Sequence, residues 1–255
     1  MSLTAKSTEH LMNKIISRAN DIGMRVNNKK THILCFGPQN GFDIDVSITL
    51  GDSEVIKSED ELRLLGFYFS GEPNASRHVQ EIKKKFRARY WSLVHLRRAN
   101  IKGQHLFRLY TLFVRPVIEF CSIVYHSLLT KQQDLELERL QRKVIRLCFG
   151  YNCDVESVGK REGIETLSER RVCSVDRFIV KNYMNERFSS KWFPRKQHIR
   201  HDIRKQKKFE EFKTNTDRFY NSPLNYMRRR INFLHDNDML EQRNIPQIVG
   251  VNQQQ

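Results

Sequence analysis

Between Leu106 and Tyr125 the polar side chains are Arg108, Thr111, Arg115, Glu119 and Ser122, and nearly all the rest is aliphatic or aromatic. Steps of three, four, four and three residues separate them, the period of an α-helix. A helix apolar on most of its circumference has to be wrapped by protein or by lipid. Arg115 and Glu119 exclude lipid, because each central charge would cost roughly 2.5–3.5 kcal/mol on an insertion scale. The segment therefore predicts a core helix with one polar seam, surrounded by other helices. Pro116 removes a backbone donor and predicts a kink near Leu112.

The wrapping elements are expected to be basic. The 255 residues carry a net charge of +16, which favours a polyanionic partner. Residues 77–108 concentrate it, with ten Lys and Arg against Glu81 alone. Ser76 is expected to cap a helix with Val79, Ile82, Phe86, Tyr90 and Leu93 on its inner face. That leaves Lys83, Lys84, Arg87 and Arg98 outside, with Arg97 and Arg108 close by. Tyr90 and Trp91 interleave with the bases and are candidates for stacking on a base or sugar. Lys and Arg in this density displace counterions from a phosphate backbone without reading sequence. The competing reading is an ordinary solvated helix face, and a helical protein-interaction module with a basic face follows from it.

Around that helix the chain divides into three parts. Residues 1–72 read as α+β: a helix capped at Ser7 or Thr8, with Leu11, Ile15, Ala19 and Ile22 on one face and Gly23 at its end. Strands are expected at Met24–Val26, His32–Phe36, Ile48–Leu50, Glu54–Ile56 and Leu64–Phe69, with a loop at Gly37–Gly41. Residues 73–190 read as helical. Thr130–Gln133 and Thr166–Glu169 are capping boxes that open two further helices, with Leu137, Leu140, Val144 and Leu147 inward on one and Val172, Val175 and Ile179 on the other. Residues 191–255 read as a basic extension, partly disordered, with a short helix from Leu224. The fold class expected is α+β, mainly α.

Motifs for chemistry are sparse. The sequence holds no adjacent Asp pair, P-loop, H-E-x-x-H or G-x-S-x-G. Asp43 and Asp45 alternate as on a strand edge and read as polar surface, as does the pair His198 and His201. No metal site is predicted. Five cysteines without a C-x-x-C pair read as reduced thiols in an intracellular protein, nuclear or cytoplasmic. Lys6, Glu9 and His10 interrupt the N-terminus, so no signal peptide is expected.

Taken in order, these pieces resemble the end of the palm and the thumb of a non-LTR (LINE-type) retrotransposon reverse transcriptase. The resemblance covers roughly residues 5–235. It rests on Asp21-Ile-Gly-Met-Arg-Val-Asn27 followed by Asn28-Lys29-Lys30-Thr31, and on Leu64-Leu-Gly-Phe-Tyr-Phe69. It continues through Leu109-Tyr110, Phe113-Val-Arg-Pro116, Glu119-Phe120, Leu137–Arg146, Gly163–Arg171 and Asn221-Ser-Pro223.

The resemblance implies RNA-directed DNA polymerase ancestry. Lys30 would match the palm lysine proposed to protonate the leaving pyrophosphate, and Leu65, Gly66 and Phe67 would match the primer grip. It also implies RNA or an RNA–DNA duplex as partner, with no small-molecule substrate and no membrane. The family's paired aspartates, which hold two metal ions, would precede the first helix and have no match here. Two-metal phosphoryl transfer needs those carboxylates. The chain is therefore predicted not to polymerise alone, and to carry no cofactor of its own; Mg²⁺ would belong to a complete polymerase.

Overall fold

The computed structural model describes residues 5–35, 47–50, 54–72, 74–196 and 207–240. It is mainly α with a small sheet region, and it forms two compact units, Met1–Asn74 and Ala75–Gln255.

In the first unit, α1 (Ala5–Asp21) runs against β2 (Ser47–Leu50). Gly23 closes the helix with φ +74°, the left-handed cap expected of it. The inward face differs from the expected one by a residue. Met12 and Ile16 are half-buried with Ala19, while Leu11 and Ile15 stay exposed. β1 (Ile33–Leu34) pairs parallel to β3 (Glu54–Glu59), and β3 pairs antiparallel to β2 with Leu50 opposite Glu54. Met24–Val26 is not a strand. It leads into a 3₁₀ turn at Asn28–Lys30, where the Thr31 hydroxyl donates to the Asn27 carbonyl.

The expected strand Leu64–Phe69 is a hairpin tip instead. β4 (Glu61–Leu64) and β5 (Phe67–Ser70) pair through Leu64 and Phe67, so Leu65 and Gly66 form the whole loop. Their φ angles are +50° and +88°, as a two-residue type I′ turn requires. An apolar run concealed the reversal, because Leu at the first loop position carries none of the usual Asn or Gly signal.

The second unit starts with α2 (Ser76–Arg98), whose buried face includes the five expected apolar residues and also His78. Its N-cap is Ala75; the Ser76 hydroxyl accepts instead from Gln133 Nε2 at 3.0 Å. α6 (Lys131–Phe149) and α8 (Leu167–Tyr183) both open with complete capping boxes, at Thr130/Gln133 and Thr166/Glu169. Between α6 and α8 lies α7 (Val155–Glu162), capped by Asp154.

The central segment is not one kinked helix. It comprises α3 (Gly103–Leu109), a π turn at Tyr110–Val114, α4 (Arg115–Glu119) and α5 (Ser122–Tyr125). Leu106, Tyr110, Val114, Ile118 and Ser122 are all buried, a repeat of four residues. An α-helix rotates such a row by about 40° at each step, and the wider π turn brings it back toward the core. The Arg115 N–H bonds the Tyr110 carbonyl, so the disruption expected from Pro116 appears as this i→i−5 closure. Chain direction then changes at Phe120 and at Cys121, whose φ is +58°. Nor is the segment wrapped all round, since Leu112, Phe113 and Phe120 are exposed.

Residues 207–240 are no loose extension. Phe209, Ile231 and Leu234 are buried with Val175 and Ile179 of α8. Asn232 on α11 (Pro223–Asp236) holds the Phe209 backbone from both sides: its Oδ1 accepts from N–H at 3.0 Å, and its Nδ2 donates to the carbonyl at 3.3 Å. Two short helices, α9 (Glu186–Trp192) and α10 (Asp217–Tyr220), complete the unit. The rest of the predicted extension, residues 197–206 and 241–255, lies outside the described residues, as do Asp43, Asp45, His198 and His201.

Candidate nucleic-acid interface

On α2 the core-facing residues recur at helical spacing, which sends Arg77, Lys84, Arg87, Trp91, His95 and Arg98 to the opposite side. All six are exposed. From Arg77 to Arg98 the row extends about 30 Å along the helix axis. Among the described residues, no carboxylate comes within ion-pair distance of Lys84, Arg87 or Arg98. Arg77 approaches Glu81 at 3.8 Å. The Trp91 indole, 57% exposed, sits along the helix among these charges.

Two residues expected in this interface face elsewhere. Lys83 turns toward α6, where its Nζ pairs with Glu136 at 2.8 Å. That contact holds the Glu136 carboxyl below its ordinary pKa. Tyr90 is buried against Phe86 and carries the Lys143 ammonium 4.5 Å above its ring centroid, so its faces are occupied. Sequence alone could not make this separation, since 83 and 84 differ by only 100° around the helix. Which of them meets α6 is decided by how α6 packs. The Arg97 guanidinium donates to the Ile101 carbonyl at 3.4 Å, closing the end of α2. Arg108 is exposed on α3, apart from the row.

α6 contributes cations that the sequence reading passed over. Arg139, Arg142, Lys143 and Arg146 are all exposed on a helix that packs directly against α2. Their signal was diluted by Glu136 and Glu138. Glu136 is committed to Lys83, and Glu138 accepts from the Ser168 N–H at 2.8 Å with burial pushing its pKa up.

Supporting contacts fix this scaffold. Glu119 bonds Arg170 of α8 and lies 3.5 Å from Arg115; Arg170 also holds Glu165 at 2.8 Å. The polar seam thus joins Arg115 and Glu119 and extends to α8. Tyr110 donates to Gln141 Oε1 at 3.0 Å, and Gln141 Nε2 donates to the Glu165 carbonyl at 2.8 Å. Gly103 permits a close helix approach: a Cβ there would lie 2.0 Å from the Cys148 carbonyl oxygen.

The other candidates belong to the first unit. Lys30 is exposed at the end of its 3₁₀ turn. At the hairpin tip Leu65 is 89% exposed, Gly66 supplies the second positive φ, and Phe67 is buried against Phe69. The described residues contain no group of three or more His, Cys, Asp or Glu able to hold a metal ion. Comparisons of the chain with protein-family models, curated proteins and solved structures find no match.

Proposed function

We propose that these 255 residues bind nucleic acid through the outer row of α2, as the thumb of a reverse-transcriptase-like polymerase, and do not polymerise on their own. The observation that carries the reading is the row Lys84, Arg87, Trp91 and Arg98, exposed and without a carboxylate partner. Cations so placed track a phosphate backbone, and an open indole adds stacking that tolerates any base. Contacts to phosphate fix position without reading sequence, so sequence-independent binding is expected. An RNA–DNA duplex or RNA is the partner favoured by the resemblance to the end of a LINE-type palm and thumb.

Several further features support this reading. The +16 charge favours a polyanion, and the five cysteines are free thiols, in keeping with an intracellular protein. No described helix is long and apolar enough to cross a membrane. The 255 residues contain no adjacent Asp pair, which is the ground for proposing binding without polymerisation.

Affinity for an RNA–DNA duplex measured from 50 to 200 mM salt tests the proposal. Three to four phosphate contacts give a log–log slope of about −3 to −4, roughly a hundredfold loss over that range. A flat salt dependence, or undiminished binding by the K84E/R87E chain, would overturn it. Primer extension by the pure chain with Mg²⁺ or Mn²⁺ would refute the non-polymerising part alone.

A further inference from the structure

A second surface of this unit is apolar where the α2 row is charged. Leu112 and Phe113 are 66% and 62% exposed, Phe120 is 47% exposed, and Pro116 is exposed between them. Leu112, Pro116 and Phe120 follow at steps of four, the same repeat as the buried row on the other side of the segment. The π turn that keeps Leu106, Tyr110, Val114 and Ile118 in the core therefore also keeps these residues aligned outside it. Single exposed apolar residues are ordinary, but contiguous ones mark contact sites.

The backbone beneath this surface is held in place at a cost. Cys121 sits at φ +58°, a region that disfavours a non-glycine residue. Tyr125 hydroxyl donates to the Ile118 carbonyl, and Arg89 donates to the Phe113 carbonyl. His78 is buried beneath the segment, and burial holds its imidazole below the ordinary pKa. The rim is thus cationic on two sides. Arg108 stands one turn before Leu112, and Arg89 reaches the carbonyl of Phe113. On α2, Arg89 lies more than a third of a turn from both Lys84 and Arg87, away from the nucleic-acid row.

We propose that Leu112, Phe113, Pro116 and Phe120, rimmed by Arg108 and Arg89, dock an acidic amphipathic helix of a partner protein. Apolar anchors at i, i+4 and i+7 of such a helix cover the four side chains, and its Asp and Glu residues meet the rim. Charge complementarity chooses this occupant. A second copy of the chain would bring like charges together around the apolar contact. A nucleic-acid strand would leave the aliphatic and proline surface without a suitable partner, whereas the α2 row supplies both phosphate and stacking contacts.

A phage-displayed library of 16-residue helical peptides panned on the full chain tests this, with the F113S chain as counter-selection. Enriched peptides are expected to carry Leu, Phe or Trp at i, i+4 and i+7 and a net negative charge. They should bind F113S and L112S chains at least tenfold more weakly and the K84E/R87E chain with unchanged affinity. Circular dichroism shows whether the variants keep their fold; both altered side chains are largely exposed. Absence of enrichment over the counter-selection overturns the proposal, as do neutral or basic winners. Displacement of the peptides by single-stranded poly(U) would assign the surface to nucleic acid, and an F113S-sensitive dimer in sedimentation would assign it to a second copy; either result overturns it.

Discussion

Arg230 on α11 grips Asp176 on α8 with two parallel hydrogen bonds, Nε to Oδ1 at 2.7 Å and Nη2 to Oδ2 at 2.8 Å. The Asp176 side chain is 3% exposed, so this pair ties residues 207–240 to the helical unit from within. Asp176→Ala leaves a guanidinium without its partner in a poorly hydrated site and is expected to cost about 3–5 kcal/mol. Replacing both residues, as D176L/R230M, should cost clearly less. Urea unfolding at pH 7 distinguishes the two, and equal losses would contradict the assignment.

Gly103 lets α3 meet α6 at the backbone of Cys148. The obstacle to a side chain is a carbonyl oxygen, not a flexible tip, so Gly103→Ala forces the helices apart. Overpacking of this kind costs about 1–3 kcal/mol, and the upper end is expected here. A melting temperature within a degree of the unaltered chain would show that the approach is looser than described.

Burial lowers the His126 pKa to about 4, with Arg171 and Arg230 opposing protonation further. Burial first, and then Lys85, also lowers that of His78. Unfolded, both imidazoles bind a proton near pH 6.5. The native chain therefore keeps its full stability above pH 6.5 and loses it as the pH falls toward 4. For His126 the loss is at most about 3.5 kcal/mol, since each pKa unit corresponds to about 1.4 kcal/mol. Denaturant midpoints from pH 7 to 4.5 should fall steadily, and less steeply in His126→Phe; parallel curves would rule this out.

Neighbouring lysines should behave differently. Lys84→Gln removes a phosphate contact, reducing the salt slope by about one unit with no change in melting temperature. Lys83→Gln leaves the slope unchanged and lowers the melting temperature slightly, because its partner is Glu136. If both variants alter the slope alike, Lys83 is not held to α6 in solution.

Trp91→Ala is expected to weaken binding to single-stranded RNA by about 1–3 kcal/mol, the range for one stacked base. Tyr90→Ala should instead destabilise the fold, because that ring lies between Phe86 and Lys143. Fluorescence titration and thermal unfolding on the same samples separate the two effects.

Local rules made much of this protein legible. The capping boxes at Thr130 and Thr166, the Gly23 cap and the five-residue inner stripe of α2 all depend on residues within one or two helical turns of each other. The mixed α+β class with helices dominant follows from the same periodicities. Other features depended on partners distant in the chain. Leu65 and Gly66 became a turn because β4 and β5 pair, a contact that an unbroken apolar run does not announce. The Leu106–Tyr125 segment looked like a helix wrapped on all sides, since its composition shows apolar residues without saying which have neighbours. The π turn and the reversal at Cys121 divide them into a buried row and an exposed one. Likewise Lys83, Lys84, Tyr90 and Trp91 are equivalent by residue type. Charge and helical period are local properties, so the order of residues already dictates an α2 that is basic outside and apolar inside. Which cations and which ring remain available to a ligand depends instead on packing, because α6 places Glu136 on Lys83 and Lys143 on Tyr90.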